Sequence, residues 1–490
     1  MAGRLAAKGF SLFNDAMEQP RTDYLMVAKK TRFAPSPTGL IHLGNARTAL
    51  FSALLGQRFL LRIEDTDLER SRTEFVASLI DDLHWMGIEW QEGPKTPTAN
   101  QDWFQSERSA IYAEYYERLI ESAQAYPCYC TPTELEVSRK VQLASGKPPR
   151  YSGKCRNLSA DDQARLVAEG RQPTLRFRVP TGAFISFDDG VRGPQKFLSD
   201  EIGDFIIRRA DGSSAFFFCN AIDDSLMGVT HVVRGEDHLT NTPRQIMILE
   251  ALALSVPAYA HTALILGDDG APLSKRNGSR SIQQLREEGY FPLALANMMA
   301  RLGHHYDTDE FLGFEALKQG FSLTRVGRSP ARFDLTHLNH WQSLAVRSAT
   351  PDVIRDWITP RCTAWVPEQV LPEFLELVRA NCLFPREAEQ WAECLFSDTA
   401  FPVEADCLAA ADAAGPDFFR AAMDFAADPH SDFQGFLGNL KTRTDAKGKA
   451  LFMPLRAAFT GRHDGPELAL VYRLITPQRR VARLAEFIQD

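Results

Sequence analysis

No apolar run in this 490-residue sequence approaches a membrane span. Stretches such as AFFFC at 215–219 fall far short of the roughly 20 residues that a bilayer-crossing helix needs. The first 30 residues, MAGRLAAKGFSLFNDAMEQPRTDYLMVAKK, lack the continuous apolar centre of a secretory signal, so a cytoplasmic protein is expected. Cysteine is sparse: of eight, only Cys128, Cys130 and Cys155 fall close together. That scatter argues against a disulfide framework, and the other five read as ordinary buried thiols. Basic excess is missing too. A formal net charge of −8 argues against a protein that coats nucleic acid indiscriminately. Internal repeats and low-complexity tracts are absent.

What is present is a globular composition, 44% hydrophobic and 24% charged. A chain of this length implies about three domains and a sizeable core. Charge is unevenly spread. Residues 341–440 carry 6 basic against 16 acidic residues, whereas 441–490 carry 10 against 5, a basic tail on an acidic C-terminal third.

An N-terminal extension over 1–26 precedes TRFAPS, which reads as a strand entering a turn. GNARTALFSALL follows with apolar residues at helical spacing, Gly56 ends it, and RFLLRIED has the continuous apolar character of a buried strand. This is a βαβ unit, the start of a doubly wound α/β sheet. With a second helix expected near 73–86, residues 27–127 are read as the first half of a Rossmann-like domain. Over 128–200 a cysteine pair, a charged helix at ELEVSRKVQLA and alternating segments TLRFRV and FISFDD indicate an inserted α+β module. Strands are expected to return at DFIIRR and SAFFFCNAI, and HVVRGED followed by PRQIMILEALAL completes the second half over 201–260. Residues 261–340 are read as a mobile loop and connecting helical domain, and 341–490 as an all-α region.

Chemistry concentrates in RFAPSPTGLIHLGNARTAL at 32–50. A strand feeding a turn whose helix opens near Gly44 gathers unpaired N–H groups and the positive helix end at one spot, which suits a phosphate. Gly44 has no side chain, leaving room for a flat base or ribose on the backbone. His42 can donate a hydrogen bond to a phosphate oxygen that gains charge as a leaving group departs. The bland alternative is a packed histidine and a turn glycine. In GAPLSKRNGS, glycines and small polar residues surround Lys275 and Arg276, which makes a cationic loop suited to closing over a triphosphate. Such a pair alone reads as solvated; combined with His42 in a split βαβ fold it does not.

TRFAPSPTGLIHLGNARTAL resembles the histidine–glycine signature of class I aminoacyl-tRNA synthetases, and PLSKR resembles their lysine–serine–lysine loop. RIEDTD (62–67), WMGIEWQEGP (85–94), DDSLMGVTHVVRGEDHLTNTPRQ (223–245) and SPARFDL (329–335) resemble the bacterial-type glutamyl-tRNA synthetase family. The similarity runs from about residue 30 to the end.

That resemblance implies a two-step reaction: the glutamate α-carboxylate attacks the α-phosphate of ATP, with Mg2+, and a terminal ribose hydroxyl of tRNA then attacks the glutamyl-adenylate. It implies His42 and Lys275 as catalytic groups, and His42, Gly44, Asn45, Asp237, Lys275 and Arg276 as the ATP site. For glutamate it implies Arg32, Ser36, Glu64, Phe216, Asn220 and Arg234. Two carboxylates and one ammonium call for arginine forks and an acid. A structural ion pair between Arg234 and Glu64 is the alternative.

Three departures from the family pattern stand out. Phe216 replaces a usual tyrosine, which removes one hydroxyl contact, and Pro272 replaces the first lysine of the mobile loop. Cys128, Cys130 and Cys155 are spaced like a structural zinc site of some members, but the frequent fourth ligand, a histidine, is Asn157. Asparagine is a poor zinc ligand, and Tyr151 is the candidate replacement, as in a related tRNA-modifying glutamyl transferase. The alternative is a metal-free module with buried thiols.

By the same resemblance, 128–200 binds the acceptor stem and 341–490 the anticodon. KTRTDAKGKALFMPLRAAFTGR and PQRRVARL supply the positive charge of a phosphate-contacting surface. Helices rather than a β-barrel here favour glutamyl over glutaminyl specificity, and the queuosine-directed relative lacks this third. The expected partners are glutamate, ATP and tRNA(Glu), with tRNA(Gln) the alternative; a monomer is expected, without membrane contact. A tRNA-binding paralogue with impaired activation draws on Phe216 and Pro272, while a bare nucleotidyltransferase would not need 341–490. Met1 and Met26 are both candidate starts.

Overall fold

The fold is described from a computed structural model, whose described residues are 28–67, 69–97, 102–146, 148–267, 269–273, 280–397 and 401–488. Expectations for Lys275, Arg276 and the 1–26 extension lie outside them.

Strand β1 (Lys30–Phe33), helix α1 (Leu43–Leu55) and strand β2 (Arg58–Leu61) form the βαβ unit, with β1 and β2 parallel and Arg32 opposite Leu60. Leu43, Ala46, Leu50, Phe51 and Leu54 bury one side of α1 at three- and four-residue spacing. Gly56 closes the helix where any Cβ would sit 2.2 Å from Thr31 Oγ1, so glycine is required there. Helix α2 (Thr73–Trp85) and helix α3 (Ser109–Glu121) complete this half.

The inserted region is built on a three-stranded antiparallel sheet of β3 (Ala125–Cys128), β4 (Thr174–Phe177) and β7 (Phe205–Arg208), with β4 central. β3 and β7 flank the 128–200 stretch, and β4 lies within it. Helix α4 (Pro132–Ala144) opens on a capping box, in which Thr131 and Glu134 exchange hydrogen bonds. The hairpin β5 (Phe184–Asp189) and β6 (Gly193–Leu198) reaches back to the main domain at its turn.

SAFFFCNAI, expected as a strand, is helical from Phe216 onward, as the start of helix α6 (Phe216–Leu226); α5 is Ala160–Ala168. The run is apolar because this helix is buried on several sides: Phe218, Cys219, Ala221 and Ile222 are buried alongside Asn220, Asp223 and Asp224. A helix buried all round loses the polar stripe by which sequence periodicity is read. Strand β8 (His231–Gly235), helix α7 (Thr242–Ala251) and strand β9 (Ala258–Thr262) form a second parallel unit. The Thr230 N–H donates to the Lys30 carbonyl at 2.9 Å, which sets β8 beside β1, and the Gly190 N–H donates to the Tyr259 carbonyl at 2.8 Å, tying the β5–β6 hairpin to β9. The fold is therefore a split Rossmann-like α/β domain with an inserted α+β module.

From Leu335 onward the described residues are helical, around a second core that includes Phe374, Trp391, Phe419, Phe436, Phe459 and Tyr472. The arginines of PQRRVARL do not serve the surface expected of them. Arg483 donates to the carbonyls of Phe459 (2.6 Å) and Cys394, Arg480 lies 3.5 Å above the Tyr472 ring, and Arg479 donates to Leu395 O at 2.8 Å. Arg480 and Arg483 are buried, satisfying helix-end carbonyls that lack intrahelical partners. Lys441, Arg443, Lys447 and Lys449 are exposed. Among the described residues, no helix is long and apolar enough to cross a membrane.

Candidate active site

The ends of β1 and β2 face α6, and their charged side chains meet there. Arg32 Nε lies 3.3 Å from Asp224 Oδ1 and its Nη1 donates to the Val233 carbonyl at 3.3 Å. Arg62 has no exposed surface. It donates to Asp224 Oδ1 at 2.8 Å, to Asn220 Oδ1 at 3.1 Å and to Glu64 Oε1 at 3.4 Å. Asn220 Nδ2 also donates to Glu64. Asn220, Asp223 and Asp224 sit one turn apart on α6, so they share a face. Asp223 accepts from Arg108 Nε (2.8 Å), Gln105 Nε2 (2.9 Å) and the Tyr112 hydroxyl (2.7 Å), which anchors α6 against α3 and the turn before it.

Burial dominates the electrostatics of this group. It lifts the Glu64 carboxyl above its ordinary range despite the Arg62 and Arg32 guanidiniums. At Asp224 the same burial is outweighed by Arg32 and Arg62, which hold the carboxyl below its ordinary value. Arg234, at the end of β8, is lowered to about 10 by burial. Its Nε donates to His261 Nε2 at 3.1 Å and its Nη2 to Thr242 Oγ1 at 2.8 Å, while Nη1 is buried with no hydrogen-bond partner. Glu64 is bonded to Arg62 and Asn220, so the alternative of an Arg234–Glu64 ion pair is not what forms.

His42 is the N-cap residue of α1, with extended backbone and no side-chain capping bond. A backbone bridge joins it to Ser281, and the Ile282 N–H donates to the Ile41 carbonyl at 2.9 Å, so the chain leaving GAPLSKRNGS is stitched to the His42 turn. A Cβ on Gly44 would meet no atom within 4 Å, which leaves open space over that backbone. Asn45 and Ser36 are exposed at the same turn. Asp237 is exposed in the turn after β8, and the Phe216 ring stacks on His238 with centroids 5.3 Å apart. Burial pushes His238 down to about 4 although Asp237 opposes it, so the ring is neutral at pH 7.

In the inserted module the Cys128, Cys130 and Cys155 sulfurs lie within 4.8 Å of one another. The Tyr151 hydroxyl is 3.3 Å from Cys128 Sγ and 3.6 Å from Cys130 Sγ, and it accepts the Cys155 N–H at 2.8 Å. Asn157 is committed elsewhere, its Oδ1 accepting from Arg178 at 3.3 Å.

Sequence reasoning brought Arg32, Glu64, Asn220 and Arg234 to one region but missed Arg62, Asp223 and Asp224, although RIEDTD and DDSLMG contain them. Their signal was charge embedded in apolar strand and helix, which only pairing makes tolerable. Asp189, Arg108, Tyr112 and His261 carried no such local signal.

Residues 28–340 match the family described as tRNA synthetases class I (E and Q), catalytic domain. The chain belongs to that family. It is 63% identical to glutamate–tRNA ligase 1 of Methylococcus capsulatus over 95% of this chain and all of the relative. It is 52% identical to glutamate–tRNA ligase 2 of Nitrosococcus oceani over 94% of this chain and 98% of that one. The crystal structure of a glutamate tRNA ligase from Elizabethkingia meningosepticum in complex with its amino acid superposes with a TM-score of 0.85 at 26% identity, covering 94% of this chain and 99% of that one.

Proposed function

We infer that the chain joins L-glutamate to the 3′ end of tRNA(Glu) through a glutamyl-adenylate, consuming ATP with its Mg2+. Near-full-length similarity to proteins named glutamate–tRNA ligase supports this. The observation that carries the substrate assignment is a wall in which Arg32, Glu64, Asn220 and Arg234, each no more than 5% exposed, gather both signs of charge. Glutamate brings two carboxylates and an ammonium to such a wall. A buried guanidinium nitrogen without a partner favours the carboxylate over the neutral amide of glutamine.

Arg32 and Arg234 hold carboxylate, Glu64 meets the ammonium, and Ser36, Asn220 and Phe216 complete the lining. The α-carboxylate of glutamate attacks the α-phosphorus and pyrophosphate leaves; a ribose hydroxyl of the tRNA then displaces AMP. Neither step needs a covalent enzyme intermediate. His42 donates to a phosphate oxygen at the mouth of α1, Lys275 and Arg276 close over the polyphosphate, Gly44 and Asn45 border the nucleoside, and Asp237 borders the ribose. Catalysis then rests on positioning and on stabilising developing phosphate charge.

The three thiols and the Tyr151 phenol also fit one structural Zn2+, which would staple β3 to the Tyr151–Cys155 turn. Residues 128–200 serve the acceptor stem and 341–490 the anticodon, with the exposed Lys441, Arg443, Lys447 and Lys449 as phosphate contacts. The protein acts as a monomer. Charging assays with purified tRNA(Glu) and tRNA(Gln) test the assignment: glutamylation of tRNA(Glu) is expected, and charging confined to tRNA(Gln) would move the function to the second reading.

A further inference from the structure

Arg234 is held from behind by a chain of hydrogen bonds that starts in the inserted region. Asp189, the last residue of β5, accepts backbone N–H bonds from Val191 (3.0 Å), Arg192 (2.8 Å) and His261 (3.1 Å), and also bonds the His261 ring at Nδ1. Both side chains are buried, His261 completely. With Nδ1–H given to the carboxylate, His261 Nε2 keeps its lone pair, 3.1 Å from Arg234 Nε and 3.1 Å from Thr242 Oγ1. Thr242 Oγ1 in turn accepts from Arg234 Nη2. Two of the three guanidinium nitrogens are thereby fixed, and Nη1 is the one left buried without a partner. The Tyr259 ring lies 5.1 Å from the guanidinium carbon and nearly parallel to His261, closing the same side.

We propose that Asp189 and His261 are positioning residues that fix the tautomer of one ring and the orientation of one guanidinium, so that Arg234 Nη1 presents to a carboxylate of glutamate. This rests on the reading of Arg234 as a carboxylate ligand. The protonation pattern is the one the surroundings favour. Burial disfavours the imidazolium, with Arg234 and Arg32 adding repulsion against the opposing pull of Asp189, and the donors around Asp189 keep it ionised against burial. An amide at position 189 would donate to Nδ1 and leave the ring proton on Nε2. Two donors would then face each other at Arg234. The inserted hairpin thus reaches the amino-acid site through one carboxylate.

The test is steady-state charging with tRNA present, varying glutamate and ATP separately, for R234K, D189N, H261A and H261Q. D189N and H261A are expected to raise the glutamate KM by about tenfold or more, with the ATP KM within about twofold of wild type and kcat changing less than KM. H261Q, whose amide oxygen can accept from Arg234, should fall between wild type and H261A. D189N should add nothing to R234K. If R234K raises the glutamate KM but D189N and H261A leave it within about twofold, the positioning role is overturned. Equal rises in both KM values would overturn it as well, because they mark general damage. A normal glutamate KM in R234K would instead overturn the reading of Arg234 itself.

Discussion

Replacing Arg62 with methionine removes one guanidinium that Asp224, Asn220 and Glu64 share at 2.8, 3.1 and 3.4 Å. Methionine keeps most of the buried stem, so the loss is electrostatic rather than a cavity. Asp224 is left with Arg32 at 3.3 Å, and Glu64 with Asn220 alone. Removing one partner of a buried ion pair costs about 3–5 kcal/mol. Glu64 escapes part of that by taking a proton, since burial already lifts its carboxyl, which places the loss near the low end, about 3 kcal/mol. For domains of 150–250 residues this corresponds to a fall in Tm of roughly 6–12 °C. Calorimetry on R62M, D224N and the double variant reads it directly. D224N removes the carboxylate that R62M leaves with Arg32 alone, so the double variant should be more stable than the sum of single losses by at least about 1.5 kcal/mol. An R62M protein within about 1 kcal/mol of wild type, with additive effects in the double variant, would refute the idea that these charges form one set.

Three further outcomes are expected. Asp82 is buried on α2 with Oδ2 lacking a hydrogen-bond partner, and burial pushes its carboxyl up to about 6, with Arg286 only partly opposing. The folded pKa exceeds the unfolded one, so stability falls as pH rises from about 4 to about 6 and stays low above it; D82N should gain up to about 3 kcal/mol at pH 8 and nothing at pH 4 in denaturant titrations, and no gain at pH 8 would count against it. Elemental analysis should find one zinc per chain, lost in C128S with a lower Tm; a metal-free wild-type protein would leave the thiols as packing. F216Y places a hydroxyl beside His238 and should shift the glutamate KM by no more than about tenfold, near 1.4 kcal/mol, whereas a much larger change would mean that Phe216 controls more than one contact.

The βαβ unit around α1 was legible because its apolar residues recur at helical spacing between two buried strands, and Gly56 ends the helix where a side chain would collide with Thr31. Helix α6 was not, because burial on several sides erased its polar stripe. The buried arginines of PQRRVARL were misread for a related reason: charge in a sequence reads as surface, and nothing local shows that Arg483 caps the carbonyls of Phe459 and Cys394. At the site, Arg32, Glu64 and Arg234 stood in recognisable motifs. Asp189 and His261 come from a hairpin and a strand 72 residues apart, and their pairing exists only in three dimensions.

The most direct test of the account is ATP–pyrophosphate exchange with the purified chain, with tRNA present and glutamate or glutamine as the amino acid. Substantial exchange with glutamate and little with glutamine is predicted, because the buried Arg32 and Arg234 are proposed to hold the carboxylates of glutamate. Exchange driven equally by glutamine, or none with glutamate, would contradict it.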